Sequence, residues 1–307
     1  IETAEIYREL GTVQNKITNE EEAELDWLKC AVRNRYPLSD DMASRLHALQ
    51  QPTLKLILQA SEMPPPDFEL QWDLGWDLLL PHLSDVWHGG RTISMHLSDR
   101  IQTGDARRIQ EAMRATRTMS EHTRADPCLI SMMVALSIQK NADEQILSCL
   151  ESGAITPEIA RILLPAIDQP RDNFGLVESI QRERQFSSEW LVTKLKLDEA
   201  DDAGAITPEA IDLLQNMLSV SAGPTPEPTE AWTNGALKQE LRQLDAHYET
   251  LVEIAADQDW KRAGRRAESL EMRADLDSDL GLAKTFAPDI AAIIKNRNEY
   301  EDERREL

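Results

Sequence analysis

Glycine is scarce in this chain, with twelve in 307 residues, and phenylalanine and tyrosine number four each. Few turn glycines and few strand-favouring aromatics leave little from which to build a β-sandwich or barrel. No window alternates apolar and polar residues between hairpin turns. Cysteine is also rare: Cys30, Cys128 and Cys149 are odd in number and lack the spacing of a metal site. Cys128 and Cys149 fall on one expected helix, separated by about 21 × 1.5 Å, which rules out a bond between them. Cysteine usage therefore leaves the redox compartment open. Long apolar runs are missing too, since the longest, Leu129–Ile138, is far too short to span a bilayer. Positive charge is in deficit, with 33 Lys and Arg against 55 Asp and Glu and a net charge of −22. Such a chain repels phosphate backbones and anionic membrane surfaces, which argues against nucleic acid as a partner.

What is present is a globular composition, 41% hydrophobic and 29% charged, enough to bury a core. Apolar residues recur at helical spacing. The pattern predicts helices over residues 2–16, 18–35, 39–50 and from Pro52 to the break at Pro64-Pro65-Pro66. Further helices are expected over residues 81–102, 106–123, 127–152 and 175–198, and from Pro157 and Pro208. Three more cover residues 234–256, 259–277 and 289 onward. The fold class is all-α, an irregular array of antiparallel helical hairpins, solenoid-like or bundled. Residues 1–218 form the main domain, Ser219–Thr233 with Gly223, Pro224, Pro226 and Pro228 a linker or long loop, and residues 234–307 a C-terminal helical segment.

The most motif-like feature is Gly-Ala-Ile-Thr-Pro-Glu, found at Gly153–Glu158 and again at Gly204–Glu209. Each residue suits a helix-to-helix corner. Glycine ends one helix, threonine caps the next, and proline takes the first helical position. The glutamate then lies in the first turn, where the helix dipole favours it. The repeat predicts how the chain turns, not what it binds.

Chemistry is sparse. There is no Gly-rich phosphate loop, no Gly-x-Ser-x-Gly elbow and no Cys-x-x-Cys pair. No pattern calls for a cofactor. The densest candidate segment is Trp72–His88. Trp72, Asp73, Trp76 and Asp77 form either an aromatic platform with carboxylates for a saccharide or cation, or a buried stripe at helical spacing. His82, Asp85 and His88 follow at intervals of three, a start for a metal site. Yet His82 and His88, six residues apart, stand about 120° from eclipsed and do not chelate one ion unaided. Arg107, Arg108, Arg114, Arg117 and Arg124 make one basic stretch, to be met by an acidic partner or by the chain's own carboxylates. Gln181–Arg184 offers either a buried Arg–Glu pair or a solvated, locally paired face.

Several segments carry a resemblance. They are Ala4-Glu5-Ile6-Tyr7, Pro81-His82-Leu83-Ser84, Thr103-Gly104-Asp105, His122 with Asp126-Pro127 and Leu129-Ile130-Ser131, and Glu183-Arg184. Through them residues 1–218 resemble a group of uncharacterised bacterial all-helical proteins exported behind a signal sequence. Leu97–Thr123 is also similar to a tetratricopeptide hairpin. The resemblance implies a location in the periplasm or cell envelope and assigns no catalytic residue; whether a signal peptide or lipid anchor preceded Ile1 stays open. The resulting expectation is a non-enzymatic, extracytoplasmic protein acting by protein or peptide contact. The alternatives are an envelope enzyme or a metal- or saccharide-binding protein using Trp72–His88, and a structural envelope component.

Overall fold

The computed structural model describes residues 2–274 except 15, 17, 34, 35, 37, 38, 127, 168–174, 198–200, 222–232 and 258, together with Ile293 and Ile294. It is all-α. Eleven α-helices are described: α1 Thr3–Gln14, α2 Asn19–Arg33, α3 Asp40–Ala60, α4 His82–Thr103, α5 Ala106–Arg124, α6 Leu129–Glu151, α7 Pro157–Ile167, α8 Leu176–Lys194, α9 Pro208–Ser221, α10 Asn234–Ala255 and α11 Trp260–Ala274. Among the described residues there is no strand, only an isolated bridge between Ala205 and Thr233. No described helix is long and apolar enough to cross a membrane. The linker expected at 219–233 is helical as far as Ser221, and residues 222–232 lie outside those described, as does nearly all of the helix expected from Asp289.

The chain divides into two compact units. The first holds residues 1–69, 79–126 and 130–174, and the second holds 70–78, 127–129 and 175–307.

In the first unit the core lies on one side of α4. Leu83, Val86, Ile93, Leu97 and Ile101 recur at three- and four-residue steps and are buried, each contributing about 1.5–3 kcal/mol by leaving water. Opposite them α5 buries Ile109, Ala112, Ala115, Thr116 and Met119. The corner between the two helices is the Thr-Gly-Asp turn read from the sequence. The Gly104 and Asp105 amides donate to Ile101 and Arg100 carbonyls, and Asp105 Oδ1 accepts from the Arg108 amide at 3.1 Å. Gly90 sits directly against α6, since a Cβ there would lie 2.5 Å from Ile138 Cγ1.

Pro52 does not start a new helix, as its position suggested; it lies inside the continuous α3. Its missing N–H leaves the Ala48 carbonyl without its helical donor, at a point where both residues are exposed to solvent. The buried stripe of Leu46, Gln50, Thr53, Leu54, Ile57 and Ala60 passes through in phase. Packing on that face outweighs the proline.

The two hexapeptides differ in structure. At the first, Gly153 has φ +73° and open space around it, and Thr156 Oγ1 caps α7 through the Ile159 amide at 3.3 Å. At the second, Thr207 Oγ1 caps α9 through the Ala210 amide at 3.2 Å. Gly204, however, is not left-handed. A Cβ there would stand 2.9 Å from Asn234 Nδ2, and its carbonyl accepts from the Asn234 amide at 3.0 Å. The second copy is a corner that also anchors the start of α10.

In the second unit α8 packs along α10 through Ile180, Leu191, Leu237, Leu244, Tyr248 and Leu251, all buried. Arg184 crosses between them, binding Asp245 at 2.5 and 2.7 Å and Glu249 at 2.8 Å. Of the charged string in α8, Arg184 is therefore an interhelical clamp, while Arg182 pairs locally with Gln185 at 3.4 Å.

Candidate functional site

The side of α4 facing away from its core is lined by Ser84, His88, Arg91, Met95, Ser98, Asp99 and Gln102, again at helical spacing. At about 1.5 Å per residue this stripe runs roughly 27 Å. At Met95 it is met by the leucine cluster of α2 and α3 and by Gln50, and on either side of that contact α2, α3 and α6 leave cavities against α4 that share residues. A cavity of about 410 Å³ at Asp85 and His88 shares Lys29 and Arg91 with one of about 380 Å³ beside Trp87. The latter shares Met95 and Gln145 with one of about 590 Å³ bordered by Ser98, Asp99, Ser148 and Cys149. That cavity shares His47 and His96 with a fourth, of about 280 Å³, between α3, α4 and α5.

The walls are fixed by ordinary packing. Leu25 and Leu28 of α2 meet Leu46 of α3, with Met42, Leu49 and the floor residue Met95 against them. Arg45 ties the two helices at the surface, bonding Glu21 at 3.2 Å and Glu24 at 3.1 Å. On the α6 side Trp87 donates its indole N–H to Ser137 Oγ at 3.0 Å, and Arg91 lies 5.2 Å over the same ring.

Carboxamides are the recurring lining group. Gln14, Gln50, Gln51, Gln102, Asn141 and Gln145 all border the groove. Each offers both donors and an acceptor. Charges of both signs border the groove. Lys29 lies 4.0 Å from Asp26, and its ammonium is held below its ordinary range chiefly by burial. Burial raises the Asp85 carboxyl, while burial and then Lys29 and Arg91 lower the His88 imidazole. His96, only 7% exposed, is pushed down to about 4 by burial first and then by Arg100. It is a neutral ring at physiological pH. The Cys149 thiol is raised by burial and lies 3.4 Å from Ser98 Oγ, an environment that keeps it protonated and unreactive.

Of the residues singled out from the sequence, Asp85 and His88 lie in this groove. His82 does not, since it turns into the core, 5% exposed, stacked on Phe68 with ring centres 3.7 Å apart. Its Nε2 stands 3.2 Å from Asp126 Oδ2, though without the direction of a hydrogen bond. Beside it the Tyr7 hydroxyl and His122 Nδ1 are 3.0 Å apart. This is a buried polar cluster joining α1, α4 and α5, closed to a ligand.

Trp72 and Asp73 belong to the second unit. Residues Trp72–Asp77 form 3-10 turns, not an α-helix, because Gly75 takes φ 53° and ψ −120° there. Trp190 packs against Gly75, where a Cβ would lie 2.3 Å from its ring. Trp72 is half-buried and Asp73 exposed; the side chains of Trp76 and Asp77 lie outside the described residues. The segment Trp72–His88 is thus shared between two units. Among the described residues no three His, Cys, Asp or Glu side chains converge as a metal site requires.

Of the basic stretch, Arg108, Arg114 and Arg117 face Glu111, Glu62 and Glu121, and Arg108 also borders the fourth cavity. Sequence reading missed Lys29, His47, Gln50, His96, Gln145 and the other wall residues. The signal that could have found the floor is the polar stripe of α4, set opposite its apolar one. Comparison of the chain with models of known protein families, with curated proteins and with solved structures finds no match.

Proposed function

We propose that this is a non-enzymatic, extracytoplasmic protein that acts by peptide contact, and that the α4 groove seats an extended segment of a partner polypeptide. The observation that supports this is the row of adjoining cavities along α4 edged by six carboxamides. An extended peptide exposes alternating N–H and C=O groups that must find partners when they leave water. Carboxamides supply both kinds at each contact. About 27 Å of floor accommodates roughly eight residues at about 3.4 Å each. The extracytoplasmic location rests on the resemblance of residues 1–218 alone, and cell fractionation tests it separately.

The test is selection of short peptides displayed on phage against the folded protein, followed by calorimetry with the selected peptides. Peptides of at least eight residues are expected to bind. Gln102→Ala and Gln145→Ala should each weaken binding about 3- to 10-fold, the equivalent of one lost hydrogen bond. Selected peptides that bind both variants as tightly as the parent protein would overturn the reading.

A further inference from the structure

The fourth cavity stands apart from the rest of a chain that carries 55 carboxylates. Its lining residues are His47, Gln51, Leu54, Lys55, Leu58, His96, Arg100 and Arg108. Three are fixed cations, two are imidazoles, and none is acidic. The cations come from α3, α4 and α5, so the fold gathers positive charge here that no stretch of sequence concentrates. Asp99 binds Arg100 at 2.7 Å and Glu111 faces Arg108 at 3.8 Å, but neither carboxylate borders the cavity, and each steadies its guanidinium from outside. Lys55 has no ion-pair partner among the described residues. His96 is 7% exposed and borders the cavity. Arg100 Nε is buried with no hydrogen-bond partner among the described residues, and such a donor beside two further cations and an imidazole suits an oxyanion, which guanidinium groups bind through paired N–H bonds.

We propose that this cavity is an oxyanion site at one end of the groove, taking a carboxylate or phosphate group. On the peptide reading proposed above, the group is carried by the seated segment as an acidic or phosphorylated side chain. Lys55 and Arg108 supply mobile charge at the rim, and Arg100 and His96 form the inner wall. About 280 Å³ holds one such group, so the site adds a single anchored charge to a groove that otherwise recognises backbone.

The experiment uses free ions, so that it stands apart from peptide selection. Ring resonances of His47 and His96 are followed by NMR in the intact protein during titration with sodium acetate and, separately, inorganic phosphate, at constant ionic strength set by chloride. Saturation by acetate identifies a carboxylate site, saturation by phosphate a phosphoryl site, and saturation by both a site for either. The double variant Lys55→Ala with Arg108→Ala changes two exposed residues and should weaken saturation at least 10-fold, whereas Lys16→Ala, outside the cavity, should not. A linear response to both ions, or saturation untouched by the double variant, would overturn the proposal. Saturation by ions alongside failure of peptide selection would keep the anion site and remove the peptide reading. Peptide binding without ion saturation would do the reverse.

Discussion

Replacing Glu183 with Gln should stabilise the protein at neutral pH and leave it nearly unchanged in acid. Glu183 lies on α8 among buried groups, and desolvation raises its carboxyl from 4.5 to about 7, with the Leu129 backbone hydrogen bond only partly opposing this. In the unfolded chain the same carboxyl titrates near the ordinary glutamate value. The folded state therefore holds this proton more tightly. Stability is complete below about pH 4.5 and falls as pH rises towards 7, because the unfolded state then releases a proton that the folded state retains. A difference of about 2.5 units, at about 1.36 kcal/mol each, makes the loss roughly 3 kcal/mol once the group is ionised. Gln keeps the shape and the acceptor for the Leu129 amide but has no charge to desolvate. Urea unfolding followed by far-UV circular dichroism at pH 4, 5.5, 7 and 8 measures the effect. The gain from Glu183→Gln should grow from near zero at pH 4 to about 3 kcal/mol at pH 8. Glu178→Gln, an exposed carboxylate on the same helix, controls for the general relief of negative charge and should change little. A gain independent of pH, or one matched by Glu178→Gln, would refute the assignment of Glu183 as a desolvated acid.

Other substitutions test separate parts of the structure. His96, lowered to about 4, has the opposite sign: its neutral form is favoured in the fold, so its contribution is present above about pH 6.5 and is lost as pH falls towards 4. His96→Gln should remove up to roughly 3 kcal/mol of acid sensitivity in the same urea series. Gly90→Ala drives a methyl against Ile138 and should destabilise by about 1–3 kcal/mol in thermal or urea unfolding. The two hexapeptide glycines should respond differently to asparagine. Gly153→Asn meets open space in a left-handed conformation that Asn tolerates and should cost less than about 1 kcal/mol. Gly204→Asn collides with Asn234 and should cost more, by differential scanning calorimetry of the two variants.

The helical class and the α4–α5 corner were legible because they rest on local chemistry. Thr103-Gly104-Asp105 carries its own end signal and cap, and the apolar stripe on α4 needs no distant information. Pro52 was misleading because proline's local effect was read without the solvent exposure that makes it tolerable. The 3-10 turns at Trp72–Asp77 escaped for a related reason. The spacing of Trp72 and Trp76 fits a helix, but the conformation of Gly75 and its contact with Trp190 decide otherwise, and Trp190 lies far along the chain. The hexapeptides looked alike until Asn234 was placed beside Gly204. Within the candidate site, Asp85 and His88 could be picked out from their neighbours in sequence. His47, Lys55, Arg108 and Gln145 could not, because what unites them is the meeting of α3, α4, α5 and α6. A groove with walls on four helices leaves no local signature.

Filling the α4 groove tests most directly whether it is the binding surface. Ser148 lines the cavity of about 590 Å³ and is half-buried, so Ser148→Trp places an indole in the path of a peptide without entering the core. Fluorescence anisotropy with a selected peptide, on variant protein whose circular dichroism matches the parent, should show affinity reduced at least 10-fold. Unchanged affinity would contradict the assignment of the groove as the site.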